Sequence, residues 1–285
     1  MKQFLLCTDG SVFAQASYQY GAWFATRLGA AIAVLHVSDA RGQIMAQNLS
    51  GSIGVDASET LLNQLVALEH EKAKLNHQRA KLILQEAIAQ LKAAGVEAVE
   101  GMHRTGLLAD VVPNLETAAD LIILGKRGEA AEFASGHLGA NLERIVRASR
   151  RPCLVTSRQF RPIERVLVAY DGSASGRAML DWVARSQAFT NLAVMVLTVI
   201  KPGEEAKGRT HLQEAQQRLG ADGIQATTTI VTGNAETAIA AHCEQRHCDL
   251  LVMGAYGHNR IRHLVIGSTT IQLLRSSQIP VLLYR

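Results

Sequence analysis

Near its carboxyl end the chain carries three glycines and a run of hydroxyl side chains at a spacing that suits phosphate binding. The stretch "GAYGHNRIRHLVIGSTT" at 254–270 places these glycines in the pattern G-x2-G-x9-G, at Gly254, Gly257 and Gly267. Glycine adopts positive φ readily and lets backbone N–H groups approach an anion that a β-carbon would obstruct. The free N–H groups at a helix start favour a phosphate, and hydroxyls add donors. Those hydroxyls belong to Ser268, Thr269 and Thr270.

A purely structural interpretation of this stretch stays open beside the chemical one. Glycine-rich turns often join strands to helices, and serine is a common helix cap, so Ser268 could serve only as a cap. The stretch follows the apolar run "LLVMG" and precedes the helical run "STTIQLLRSSQ", which is where a parallel sheet binds ligands. Four side chains between the glycines suit either an anion or solvent: His258, Arg260, Arg262 and His263.

Internal repetition shows what positions these residues. "FLLCTDGSVFAQAS" at 4–17 recurs as "VLVAYDGSASGRAM" at 166–179, and "ADLIILGKRG" at 119–128 recurs as "CDLLVMGAYG" at 248–257. The chain is therefore two copies of one unit. The polar segment "RQFRPIE" lies between them, and we predict domains at 1–158 and 159–285. These are called the first half and the second half below.

Each half alternates short apolar runs with segments of helical period. In the second half the apolar runs are 165–170, 192–200, 225–231, 249–253 and 280–284. Runs of this length separated by helices predict a parallel sheet covered on both faces. The fold class is thus α/β: two tandem Rossmann-like, doubly wound domains, each with a five-stranded parallel sheet flanked by helices. Because each half ends in an apolar strand, "PCLVTS" and "PVLLYR", we predict an intramolecular pseudo-twofold pair through these strands.

On these residues the chain resembles the ATP-binding form of the universal stress protein family, as a tandem of two domains. The resemblance rests on the glycine pattern that ends in Gly267-Ser268 and on the strand that ends in Asp171-Gly172-Ser173. It implies that Asp171 lies near ribose and adenine, that Val199 touches adenine, and that the glycines with Ser268 and Thr269 hold ribose and phosphates. The cofactor would be ATP or a related adenine nucleotide, with Mg²⁺ left open. The candidate binding residues are Asp171, Gly172, Val199, Gly254, Gly257, Gly267, Ser268, Thr269 and Thr270.

From the residues alone, Asp171 is also an ordinary Asx turn at the start of a helix.

The first half departs from the pattern of the second. Gly125 and Gly128 match, but ten residues precede Gly139, and Ala140-Asn141 replaces the hydroxyls. Losing two charge-assisted hydrogen bonds, each worth about 1.5 to 3 kcal/mol, predicts weaker phosphate binding there. We therefore expect nucleotide mainly in the second half, although Lys126 and Arg127 could compensate in the first.

An insertion of helical character distinguishes the first half, at about 41–95. Residues 57–95 lack helix breakers until Gly95 and carry leucines seven apart, at Leu61, Leu68, Leu75 and Leu82. We favour an elongated second helix that packs on its own domain over a dimerising or partner-binding arm. Residues 41–58 are expected to form a flexible loop that could cover a pocket.

Composition bounds the remaining classes of function. No run approaches the ~20 apolar residues of a membrane span, and "MKQFLLCTDGS" reaches a charge too early for a signal peptide, so a cytoplasmic location is expected. The net charge is +4, but scattered basic residues and 5% aromatic residues argue against nucleic acid. The four cysteines are expected as buried free thiols. The run "HCEQRHCD" at 242–249 has metal-ligand residue types but not a ligand arrangement, so no metal site is expected.

No side chain is assigned a catalytic role. The sequence lacks the P-loop, the G-x-G of a dinucleotide fingerprint and the G-x-S-x-G elbow of hydrolases. The leading hypothesis is a nucleotide-binding stress-response or regulatory protein, paired within the chain and open to further homodimerisation. The alternatives are a module for another small molecule or for a protein partner, and a slow ATPase.

Overall fold

The structure, a computed structural model, describes residues 2–38, 55–126, 140–255 and 267–285, apart from the side chains of residues 55–62 and 140. Its strands are β1 (Gln3–Thr8), β2 (Ala31–Ser38), β3 (Val99–Thr105), β4 (Leu121–Gly125), β5 (Cys153–Thr156), β6 (Arg165–Ala169), β7 (Ala193–Ile200), β8 (Ala226–Thr232), β9 (Leu250–Gly254) and β10 (Val281–Tyr284). Its helices are α1 (Ala14–Leu28), α2 (Val55–Ala93), α3 (Leu108–Leu115), α4 (Ala140–Ala148), α5 (Ala174–Arg185), α6 (Glu205–Ala221), α7 (Ala235–Gln245) and α8 (Ser268–Ser276). Short 3-10 turns lie at Glu116–Ala118 and Gln187–Phe189.

The strands form one sheet in the order β3-β2-β1-β4-β5-β10-β9-β6-β7-β8. In each half the second and third strands lie on one side of the first strand, and the fourth and fifth strands lie on its other side. The direction reverses between β1 and β4 and between β6 and β9, which pair in parallel. This confirms the predicted doubly wound α/β architecture, and the reversal marks the edge where such sheets bind ligands.

The two halves join through their last strands, as predicted. β5 and β10 are antiparallel, and the register pairs Val155 with Val281 and Cys153 with Leu283. Leu154 and Leu282 face each other at the centre of this pair, and both are fully buried. The pairing covers both terminal strand edges, so the tandem forms the predicted intramolecular pseudo-twofold pair.

Alternation of side chains along the strands creates a core on each face of the sheet. In β1, Phe4 and Leu6 join one apolar cluster while Leu5 and Cys7 join the other. Helices cover both faces, so both sets of side chains are buried. This explains why the strands are nearly continuous apolar runs in the sequence.

The long helix α2 packs on its own half, as expected, but not through the leucines that are seven residues apart. It contacts the body through Ala80, Leu84, Ala87 and Leu91, which are all buried. The leucines seven apart face solvent instead: Leu68, Leu75 and Leu82 are 66%, 63% and 66% exposed. The helix begins at Val55, within the loop predicted for 41–58, and residues 41–54 of that prediction lie outside the described residues.

Candidate functional site

The strand register brings two parts of the candidate site together. Ala169, the last residue of β6, pairs with Met253 of β9 on one side and Leu197 of β7 on the other. The chain leaves β6 toward Asp171 beside the point where β9 ends at Gly254. Both residues therefore lie at the carboxyl edge of the sheet, next to the reversal of strand order.

The Asp171-Gly172-Ser173 turn is held by local hydrogen bonds. The Asp171 Oδ1 atom accepts a hydrogen bond from the Ser173 N–H at 2.9 Å, which is the Asx turn considered from the sequence. The Ser173 hydroxyl oxygen in turn accepts from the Gly176 N–H at 3.0 Å and caps α5. Gly172 has φ of +72°, a conformation that favours glycine. The turn thus has a structural role whether or not a ligand binds.

A histidine that the sequence did not single out covers this turn. A β-carbon at Gly172 would lie 2.6 Å from Cδ2 of His211, so the imidazole of α6 packs directly on the glycine backbone. Only the helical period of "EEAKGRTHLQEAQQRLG" could have suggested that His211 faces the sheet, and it does not specify the turn as its partner.

The start of α8 lies against the end of β9. Gly267 is the N-cap residue of the helix, and as a glycine it offers no side chain to cap the first N–H groups. The first backbone hydrogen bond of the helix runs from the Ile271 N–H to the Gly267 carbonyl at 3.2 Å, so the preceding N–H groups point out of the helix start. The Thr270 hydroxyl donates to the Ala255 carbonyl at 3.4 Å. This contact fixes the helix start beside the strand end.

The three hydroxyls at this helix start differ in accessibility. Ser268 is exposed and Thr269 is half-buried, whereas Thr270 is buried. The Thr270 hydroxyl proton serves the contact with Ala255, so Ser268 and Thr269 are the better-placed donors for a ligand. Gly257 and the charged residues that follow it lie outside the described residues, as do residues 127–139 of the first half.

Val199 closes the set on the β7 side. It is half-buried at the end of β7 and packs on the apolar cluster that contains Leu197 and Met253. Its apolar side chain at the same carboxyl edge suits a flat apolar ligand group.

A polar cluster centred on the Glu214 carboxylate lies next to the turn. The Tyr170 hydroxyl donates to Glu214 at 2.8 Å, and Arg177 Nε and Arg218 Nε donate to the same carboxylate at 2.6 Å and 3.2 Å. Burial acts to raise the pKa of Glu214, but the hydrogen bonds from Arg177 and Tyr170 outweigh it and the pKa is lowered. This cluster connects α5 and α6 and thereby holds the helix that carries His211.

The first half repeats the turn but not its surroundings. The Asp9 Oδ1 atom accepts from the Ser11 N–H at 3.0 Å, and Gly10 has φ of +74°. Ile83 of α2 takes the place of the histidine, with Cγ1 2.6 Å from where a β-carbon of Gly10 would lie.

Lys126, one of the two cations that could compensate for missing donors in the first half, contacts the second half, and Arg127 lies outside the described residues. The Lys126 ammonium donates to the carbonyls of Arg275 and Ser277, at 2.8 Å and 2.7 Å. These carbonyls lie at the carboxyl end of α8, where a cation is favourable for the helix dipole. Lys126 therefore links the two halves.

Metal sites and membrane spans are both lacking within the described ranges. These ranges contain no group of three or more His, Cys, Asp and Glu side chains arranged to hold a metal ion. Among these same residues, no helix is both long enough and apolar enough to cross a membrane.

Comparison with known proteins places this architecture in a family. The model of the universal stress protein family matches residues 1–157 and 162–285. A universal stress protein of Synechocystis sp. is 53% identical over 287 residues, covering 100% of both chains. A solved universal stress protein from Archaeoglobus fulgidus covers 99% of this chain and 97% of its own, with 23% identity and a TM-score of 0.72, and so shares the fold. A putative universal stress protein from Pseudomonas aeruginosa covers 99% of this chain and 92% of its own, with 14% identity and a TM-score of 0.62. The chain belongs to the universal stress protein family.

Proposed function

We propose that the second half binds an adenine nucleotide, ATP or a close relative, and that the protein acts as a nucleotide-dependent regulatory member of its family. One observation carries the proposal: the start of α8 is fixed beside the ends of β6 and β9 by the Thr270 contact with Ala255. A helix start with outward N–H groups, a turn with a carboxylate and an apolar strand end then share one sheet edge.

Each part of this edge suits a different part of the nucleotide. The outward N–H groups before Ile271, with the hydroxyls of Ser268 and Thr269, suit phosphate oxygens. Val199 offers apolar surface for the base, and Asp171 offers a carboxylate that could accept from ribose hydroxyls. Gly254 and Gly257 would permit close approach of the backbone. Mg²⁺ would enter with the phosphate groups, because it binds largely through phosphate oxygens and water.

We expect binding without efficient turnover. Asp171 already accepts from the Ser173 N–H within its turn, and the geometry assigns it no role as a general base. Turnover should therefore lie well below the ~1 to 10³ per second that is usual for enzymes. A steady-state ATP hydrolysis assay checks this. Rapid turnover that Asp171→Asn abolishes would contradict the binding-protein proposal and identify the protein as an ATPase.

The direct test copies the first half into the second. The double substitution Ser268→Ala and Thr269→Asn should weaken ATP binding by roughly a hundredfold or more, since two charge-assisted hydrogen bonds are lost. Calorimetric titration measures the affinity. Ser276→Ala, at the far end of the same helix, is the matched control, because its hydroxyl bonds only to the Gln272 carbonyl among the described contacts.

The reciprocal substitution asks whether these features are sufficient. Deleting one residue between Gly128 and Gly139 and writing Ser-Thr over Ala140-Asn141 should create or strengthen a site in the first half. Thermal unfolding without nucleotide should change only modestly in both variants, whereas bound nucleotide should raise the melting temperature of each chain with an intact site. Unchanged ATP affinity in the Ala-Asn variant would reduce the stretch to a structural turn.

A further inference from the structure

Two cysteines of the second half meet at the end of α7. The Cys248 N–H donates to the Cys243 carbonyl at 2.9 Å, and His247 between them has φ of +50°. A helix has a Schellman ending when its C′ residue has left-handed backbone and the N–H of the next residue bonds the carbonyl five residues earlier. This ending brings the side chains of its first and sixth residues together, which here are Cys243 and Cys248. The backbone therefore sets the two thiols side by side.

The two sulfur atoms are not equivalent. Both belong to the same apolar cluster, and the proximity of Cys248 raises the pKa of Cys243, whereas the proximity of Cys243 lowers the pKa of Cys248. Burial and Asp249 act to raise the pKa of Cys248, whereas Arg165 and Arg246 act to lower it. Cys248 is buried but Cys243 is only half-buried, so a small reagent can approach from the Cys243 side.

We propose that Cys243 and Cys248 are an oxidation site that a peroxide converts to an intramolecular disulfide. The thiolate of Cys248 attacks one peroxide oxygen, the O–O bond breaks, and the departing hydroxide takes a proton to become water. Cys243 then loses its proton and attacks the sulfenic sulfur of Cys248, which releases a second water. The two thiols together lose two electrons and two protons, and hydrogen peroxide is reduced to two waters.

The other two cysteines provide an internal comparison. Cys7 and Cys153 are both buried, and burial raises both pKa values, that of Cys153 to about 12. Thiols in that state are poor nucleophiles. Ala119 stands in the first half where Cys248 stands in the second, so the pair is specific to one half.

Hydrogen peroxide applied to the full-length protein tests the proposal. Of the four cysteines, two should lose reactivity toward Ellman's reagent after unfolding, and the intact mass should fall by two hydrogen atoms. Peptide mapping without reduction should find Cys243 joined to Cys248, and dithiothreitol should restore all four thiols. Cys243→Ser should instead leave a sulfenic acid on Cys248 that dimedone traps.

The matched control changes the two enclosed cysteines. A chain with Cys7→Ser and Cys153→Ser should still lose two thiols at the same peroxide concentration, and mapping of the unmodified chain gives the answer even if this variant folds poorly. Four unreacted thiols, a disulfide between chains, or oxidation of Cys243 alone to a sulfinic acid would each overturn the proposal.

Discussion

The two halves of the molecule share a backbone frame at their sheet edge but place different side chains on it. Gly10 and Gly172 have φ of +74° and +72°, and each lies in an Asx turn closed at 3.0 Å or 2.9 Å. Ile83 covers the first glycine, whereas His211 covers the second. A difference in ligand binding between the halves must therefore come from side chains and loop length, not from the turn itself.

The helices that supply these side chains also differ. α2 is 39 residues long and α6 is 17, although Glu86 and Glu214 occupy matching positions in the sequence. Glu86 accepts from Gln90 at 2.6 Å, whereas Glu214 accepts from Arg177, Arg218 and Tyr170. Glu214 thus belongs to an ionic cluster, whereas the matching Glu86 accepts from a neutral amide.

The largest expected effect comes from breaking the junction that relates the halves. Leu154→Ala and Leu282→Ala each remove a fully buried side chain at the pseudo-twofold centre and should cost about 2 to 5 kcal/mol of unfolding free energy. Because the two positions are related by symmetry, their costs should be similar. Urea unfolding monitored by circular dichroism gives both values. A large effect for one and none for the other would show that the halves do not depend equally on the junction.

A smaller effect compares the two covered glycines. Gly203→Ala introduces a side chain at φ of +87° with no neighbour within 4 Å, and this strain alone should cost about 1 kcal/mol. Gly172→Ala and Gly10→Ala add a collision, worth about 1 to 3 kcal/mol more. Gly10→Ala should cost the most, because Cγ1 of the β-branched Ile83 yields less easily than the tip of the His211 ring.

The same chemical unfolding series provides the check on this order. If all three alanine variants lose equal stability, the covering side chains do not constrain the turns. A double variant, Gly10→Ala with Ile83→Ala, should recover the part of the loss that the collision causes, although it creates a cavity of its own.

The smallest expected effect is on the pH dependence of the unfolding free energy in acid. The pKa of Glu214 is lowered in the folded protein, so its contribution to stability is present above the ordinary glutamate pKa of about 4.3 and is lost as the pH falls through the lower folded value. Glu214→Gln should cost about 1 kcal/mol at neutral pH and flatten the acid dependence of the unfolding free energy. Glu86→Gln, the matched control, should cost less at neutral pH, because Glu86 is exposed and accepts from the neutral amide of Gln90. Parallel acid profiles for the wild type and Glu214→Gln would contradict this.

The sequence predicted the strands well because their signal is local. The run at 192–200 became β7 at Ala193–Ile200, and the pairing of the last strands followed from two apolar runs that each close a half. The glycine stretch likewise predicted a strand end followed by a helix start at Ser268. These features depend on periodicity and on residue types within a few positions.

Contacts that depend on distant partners could not be predicted. In the sequence of α2 the repeated leucines form a stronger pattern than the set Ala80, Leu84, Ala87 and Leu91. It is nevertheless this second set that is buried against the body, because its small alanines let the helix approach closely. The role of Lys126 depends on carbonyls about 150 residues away, and nothing near it in the chain marks them.

The central claim is that adenine nucleotide binds the second half rather than the first. Photo-crosslinking of the intact wild-type protein with azido-ATP, followed by peptide mapping, tests it without altering any residue. The account predicts that label competed away by ATP falls within 159–285, on peptides that contain the Asp171 turn or the stretch from Gly254 to Thr270. Competed label confined to residues 1–158, or shared equally between the halves, would contradict it.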